Sequence, residues 1–255
     1  MTKADSAKHT MGDSLQPNPV DDLMERALAA LAKTDYFAAI TLCDKAMRKA
    51  RRADDFDRVA RIALPLQEAR RQIRQQAMDA GKTVHLITDP SQVPTKIKPG
   101  CYLVAPPLIG LDASTLAEMG LRKKVPVVAI AREPLTRAGL WPVVTVAAIS
   151  VRTRLAPPVP LERVETNMTK DEFKGDIPVS WFEAACEALG QAAIDSVPTA
   201  EPAAWRVDDL LERLEALPFH ENLYQHLHAT ARKAITEPTP DEPRRRPQIN
   251  DPYSF

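Results

Sequence analysis

Apolar residues fall in two rhythms along this chain. Between Gly81 and Arg154 they come in short continuous runs, and on either side they recur every three or four positions. The runs are Val84–Thr88, Cys101–Ala105, Val125–Ala131 and Val143–Val151. They are rich in Val and Ile, and the first three stop at proline-containing steps: Asp89-Pro90, Pro106-Pro107 and Arg132-Glu133-Pro134. Runs of this length and composition predict strands buried on both faces. Pro126 sits near a strand start, where a missing N–H does least harm.

Asp112–Lys124 separates the second and third runs and has helical spacing through Leu116 and Met119. Asp112 is the expected N-cap and Gly120 the expected stop. Strand, helix, strand predicts a parallel βαβ unit. The Pro90–Gly100 link holds three prolines and is expected to be an extended loop. Thr136–Leu140 is short, so the fourth strand can run antiparallel to the third. The fold class expected is α/β, with a small, mostly parallel core.

The flanking segments read as helices. Leu23, Ala27, Ala30 and Leu31 mark a first helix, which breaks near Lys33-Thr34 before Asp35 caps a second. Ala39, Leu42, Cys43, Ala46, Met47 and Ala50 form the apolar face of that second helix. Phe56, Val59, Ile62, Ala63, Leu66, Ala69 and Ile73 mark a long third, which Pro65 is expected to kink. Beyond the strands, Thr169 with Glu172 can start a short helix. Ser180 with Glu183 forms a capping-box pattern ahead of Phe182, Ala185, Cys186, Leu189 and Ala193. Val207–Leu217 and Glu221–Ile235 then make a helical hairpin. The chain thus divides into a disordered tail (1–20), a helical segment (21–80), an α/β core with a covering helix (81–197), a hairpin (203–236) and a second disordered tail (237–255).

Asp35-Tyr36-Phe37-Ala38-Ala39-Ile40, followed by Ala46-Met47, resembles the second half of a tetratricopeptide repeat. The match spans about residues 21–52, roughly one repeat of ~34 residues. The resemblance implies a close-packed helical hairpin, with Ala39 and Ala46 in the contact, and a role in binding peptides or proteins.

Composition narrows the chemistry. Lys plus Arg equals Asp plus Glu, 34 against 34, so overall charge selects no partner. Glycine is scarce, 8 residues against 23 prolines, and neither GxGxxG nor GxxxxGK occurs, which argues against the common nucleotide sites. Cys43, Cys101 and Cys186 are isolated and form no CxxC pair, so neither a zinc site nor a disulfide framework is indicated. They suit a reducing cytoplasm, and no apolar run reaches the ~18 residues of a membrane helix. No cofactor is implied.

Three groups of residues remain as candidate sites. Asp89, Arg132 and Glu133 stand at strand C-terminal ends, where open parallel sheets collect ligands, and they could bind a polar molecule or exchange protons. From Lys45 to Arg74 there are ten Lys or Arg against four acidic residues, a surface for an acidic partner or nucleic acid. Aromatic interleaving is absent, which argues against nucleic acid. Arg244, Arg245 and Arg246, with Tyr253 and Phe255, could form a tail motif that docks on an acidic partner. His220, His226 and His228 lack the i,i+4 spacing of a chelating pair. The function expected is a non-catalytic protein–protein interaction or scaffold role. The alternative is a ligand-binding or enzymatic α/β domain working at the strand ends. A weaker alternative is nucleic-acid binding through the basic helices.

Overall fold

The computed structural model describes residues 18–158, 175–238, 240 and 244. The short helix expected from Thr169, and most of both tails, lie outside these residues. The first helix, α1, spans Pro19–Ala32. Pro19 and Val20, expected in the tail, form its first turn. Proline is pre-set for that position, Asn18 Oδ1 accepts the Val20 N–H at 2.9 Å, and Val20 is buried.

The next two helices are α2 (Tyr36–Arg52) and α3 (Phe56–Met78). Both joints between the three helices are built alike. One residue takes a left-handed conformation, Thr34 (φ 57°) or Asp54 (φ 50°), and the following aspartate caps the next helix. Asp35 accepts the Ala38 N–H at 3.1 Å, and Asp55 accepts the Arg58 N–H at 3.0 Å. Ala39, Ala46 and Ala50 of α2, with Ala60, Ala63 and Ala69 of α3, are buried and let the helix axes approach closely. The α3 helix continues through Pro65. Packing along its length outweighs the lost hydrogen bond.

The sheet comprises β1 (His85–Ile87), β2 (Gly100–Val104), β3 (Val127–Arg132), β4 (Trp141–Val146) and β5 (Ser150–Leu155), in that spatial order. The first three strands are parallel, with Leu86 opposite Leu103 and Leu103 opposite Ile130. β4 joins β3 antiparallel, and β5 pairs with β4 antiparallel from Trp141↔Leu155 to Val146↔Ser150. The single strand expected over Val143–Val151 is therefore a hairpin. Its turn, Ala147-Ala148-Ile149, carries none of the usual turn residues. Burying Val143 and Val151 on the same face settles the register.

The crossover helix α4 (Gly110–Lys123) starts before Asp112. Asp112 is its third residue and reaches back to accept the Ile109 N–H at 2.8 Å. The helix stops at Lys124 (φ 53°), not at Gly120. Gly120 serves packing, since a Cβ there would lie 2.7 Å from that of Val127. Helix α5 (Val179–Asp195) follows Pro178 without the expected capping box. The Val179 N–H bonds the Lys82 carbonyl at 3.2 Å, and Glu183 turns to Arg74 at 3.6 Å. The hairpin of α6 (Ala203–Ala216) and α7 (Glu221–Ala234) is as expected.

The sheet separates two apolar cores. On one face α4 covers Tyr102, Val104, Ala129, Ala131 and Val144 through Ala113 and Leu116. On the other, Leu103, Ile130 and Val143 share one cluster with Leu66 of α3, Leu189 of α5 and Leu223 of α7. That cluster crosses the boundaries expected at about residues 80 and 200, so the helical segments and the sheet pack as one body. The chain is α/β. Ala39 and Ala46 have no exposed surface, so Ala39→Leu is expected to overpack the α2 contact and cost ~1–3 kcal/mol in a denaturant titration. An unchanged midpoint would place Ala39 outside that contact.

Candidate functional site

The three strand-end residues do not converge. Asp89 caps the short 3-10 turn Pro90–Gln92 and accepts the Ser91 N–H at 2.8 Å; the Ser91 side chain and then this N–H hold its pKa below the ordinary value. Arg132 is 1% exposed, and its guanidinium lies 4.5 Å from the Trp141 ring centre on the helical face of the sheet. Glu133 pairs with Arg152 of β5 at 3.0 Å. Arg132 and Glu133 diverge because successive residues of an extended chain point to opposite faces, and Asp89 is turned onto its own local turn.

The thiols are buried and inert. Burial pushes Cys43 and Cys101 up to about 12, and Cys186 well above its ordinary value. Cys101 Sγ lies 3.2 Å from Met78 Sδ, while His85 stacks on Tyr102 with ring centres 4.6 Å apart, so no histidine activates this thiol. Among the histidines around the last helical hairpin (His220, His226 and His228), His228 Nδ1 meets the Ala60 carbonyl at 2.9 Å. His220 is buried, with Nε2 3.1 Å from Glu187. It packs so closely on α5 that a Cβ at Gly190 would overlap its ring. No group of three or more His, Cys, Asp or Glu suited to a metal occurs among the described residues.

A different region is open. A cleft of about 1010 Å³ lies among α2, α3, α4, α6 and the splayed ends of β3 and β4. The β3–β4 ladder pairs Ala131↔Val144 and Arg132↔Val143 and continues through the Glu133 N–H to the Pro142 carbonyl at 2.8 Å. Below these pairs Val127, Val128, Thr145 and Val146 line the cleft. Ser114 of α4 donates to the Val146 carbonyl. The Thr145 hydroxyl is buried and has no hydrogen-bond partner among the described residues. Ile40, Met47, Leu66, Ile73 and Phe219 supply apolar lining. Leu111 and Leu121 stand at the α4 edge, 61% and 37% exposed.

The deeper cations of the cleft are neutralised within the chain. Arg51 grips Asp208 with two nitrogens, one at 2.6 Å, and also holds Asp54. Arg70 pairs with Asp44 at 3.2 Å and Arg74 with Glu187 at 2.6 Å. Arg48 and Arg52 line the same cleft, are exposed, and hold no salt bridge among the described residues. With Lys45 and Lys49 they form a stripe at positions 45, 48, 49 and 52 on one face of α2. Exposed Glu118 and Glu215 occupy the α4 and α6 walls.

Arg244 takes a fixed place. Its Nη1 and Nη2 meet the two oxygens of Asp209 at 2.7 and 2.8 Å. Nη2 also reaches Glu201, and the guanidinium carbon lies 5.8 Å from the Trp205 ring centre. Arg245, Arg246, Tyr253 and Phe255 lie outside the described residues. Neither the cleft nor the Asp209 pocket was singled out from sequence. A hint existed for the pocket: Asp209 falls among Val207, Leu210 and Leu214, inside an apolar face, where a carboxylate needs a cation.

Burial holds the His220 pKa below the usual 6.5, against an upward pull from Glu187. The unfolded chain then binds a proton that the folded chain refuses, so stability falls as pH drops below 6.5 toward the depressed folded value, and this contribution is absent above it. His220→Gln is expected to flatten the decline in Tm between about pH 6.5 and 5, where unfolded histidine charges. Superimposable profiles for the two proteins would remove His220 as the cause. No family model, curated protein or solved structure matches this chain.

Proposed function

We propose that this chain is a protein-interaction module that receives an acidic, apolar segment of a partner in the cleft between α2, α4 and α6. The observation that carries the reading is the combination in one cleft of an apolar lining, two exposed leucines at its edge, and a cationic α2 rim that holds no salt bridge among the described residues. Apolar anchors in a concave site supply binding energy, and unpaired rim charges select the sign of what approaches. The resemblance of residues 21–52 to a tetratricopeptide repeat agrees with this reading.

The alternatives have less support. A ligand or catalytic site at the strand ends would need Asp89, Arg132 and Glu133 to act together, and each is held by a separate contact. Nucleic-acid binding would draw on the ten cations between Lys45 and Arg74. Six of them, Arg51, Arg58, Arg61, Arg70, Arg71 and Arg74, already hold carboxylates, which shrinks the phosphate footprint to the α2 stripe.

Selection of a random peptide library on the intact protein tests the proposal. The enriched sequences are expected to combine Leu, Phe or Trp with Asp or Glu. Arg48→Glu with Arg52→Glu is expected to weaken the selected peptides about tenfold or more and to shift a fresh selection toward Lys and Arg. Ala117→Trp, which fills the cleft at the α4 wall, is expected to abolish enrichment. Selection that yields the same peptides from all three proteins would rule out the cleft as the binding site.

A further inference from the structure

Independently of the cleft, α6 carries a second site. We propose that Asp209, Glu201 and Trp205 form a guanidinium-reading pocket, filled in cis by Arg244, which an arginine in a proline-rich segment of another chain can occupy instead.

The pocket has the parts that recognise a guanidinium. The Asp209 carboxylate faces the two terminal nitrogens at 2.7 and 2.8 Å, the parallel two-bond geometry that arginine offers and lysine cannot. Glu201 takes a further bond from Nη2, and the Trp205 carbonyl meets Nη1 at 3.4 Å. The Trp205 ring adds an aromatic surface.

The pocket also needs its occupant. The Asp209 side chain is 8% exposed, and among the described residues the other cation in salt-bridge range of it, Arg213, stands at 3.9 Å. Arg213 Nε and Nη2 bond Ser196, at 2.9 and 3.0 Å. A carboxylate buried this far strongly favours a guanidinium that reaches it at hydrogen-bond distance, because close pairing offsets its desolvation.

The chain brings Arg244 there from beyond the last helix. Glu237 accepts the Ala203 N–H at 2.8 Å at the start of α6 and pairs with Lys233 at 2.9 Å. Residues 237 and 244 therefore both return to the first half of α6, and the six residues between them include Pro238, Pro240 and Pro243. Proline limits the freedom that such a segment loses on docking. This short tether gives Arg244 an effective concentration of about millimolar order, so the site stays filled in cis until a stronger arginine ligand arrives.

The test uses the full chain carrying Arg244→Ala, which empties the pocket, and a fluorescent peptide with the sequence of residues 238–248. The peptide is expected to bind this variant and to quench or shift Trp205 emission, a signal lost in Trp205→Phe. Binding to the unaltered chain is expected to be about tenfold weaker or less, because its own Arg244 competes. A peptide with lysine at position 244 is expected to bind about tenfold more weakly, and one with alanine there not measurably, although both keep Arg245 and Arg246. Glu201→Gln in the emptied protein is expected to reduce affinity, and Glu201 is exposed enough for the substitution to fold. Equal binding of the arginine and alanine peptides, or no binding of the arginine peptide to the emptied pocket, overturns the proposal.

Discussion

Everything in this fold leans on α3, a helix of 23 residues packed on both its flanks. Ile62, Ala63, Leu66 and Ala69 are buried in the core that α3 shares with α2, α5, α7 and the sheet. A helix in that position cannot expose its polar side chains freely, yet it carries five arginines. Each meets a carboxylate: Arg58 those of Asp21 and Asp55, Arg61 that of Asp57, Arg70 that of Asp44, Arg71 that of Glu68, and Arg74 those of Glu183 and Glu187. A buried guanidinium without such a partner would cost several kcal/mol.

These pairs also tie the layers together. Asp21 belongs to α1, Asp44 to α2, and Glu183 and Glu187 to α5, so the charges of α3 reach three neighbouring helices. The apolar contacts supply the energy of assembly, and the ion pairs restrict which helix can lie against which flank. Small side chains set the spacing. Alanines bring α2 against α3, and Gly190 lets His220 settle on α5.

The cleft and the tail pocket are where this pairing stops or is completed from afar. On α2 the stripe from Lys45 to Arg52 faces outward beside the cleft, whereas Arg51 turns inward to Asp208. On α6 the neighbouring carboxylates Asp208 and Asp209 divide the work: the first holds Arg51 across the cleft, and the second holds Arg244. One short helix thereby joins the cleft wall to the C-terminal segment.

Much of this architecture was legible in the sequence. The three- and four-residue spacing marked every long helix, Asp35 announced the cap of α2, and the Val- and Ile-rich runs located β1, β2 and β3, because these signals act within a few residues. The hairpin of β4 and β5 was not legible, since its turn has no Gly, Pro, Asn or Asp and its register rests on burying Val143 and Val151 on one face. Nor was the fate of the charges. Asp89, Arg132 and Glu133 looked alike as strand-end residues, but their neighbours come from a local turn, from Trp141 and from β5. The sequence alone determined the positions of the long helices and of β1, β2 and β3. Only the tertiary structure decided which charges are paired inside the fold and which face outward, because ion pairing joins residues as far apart as Arg51 and Asp208 and no local pattern encodes that distance.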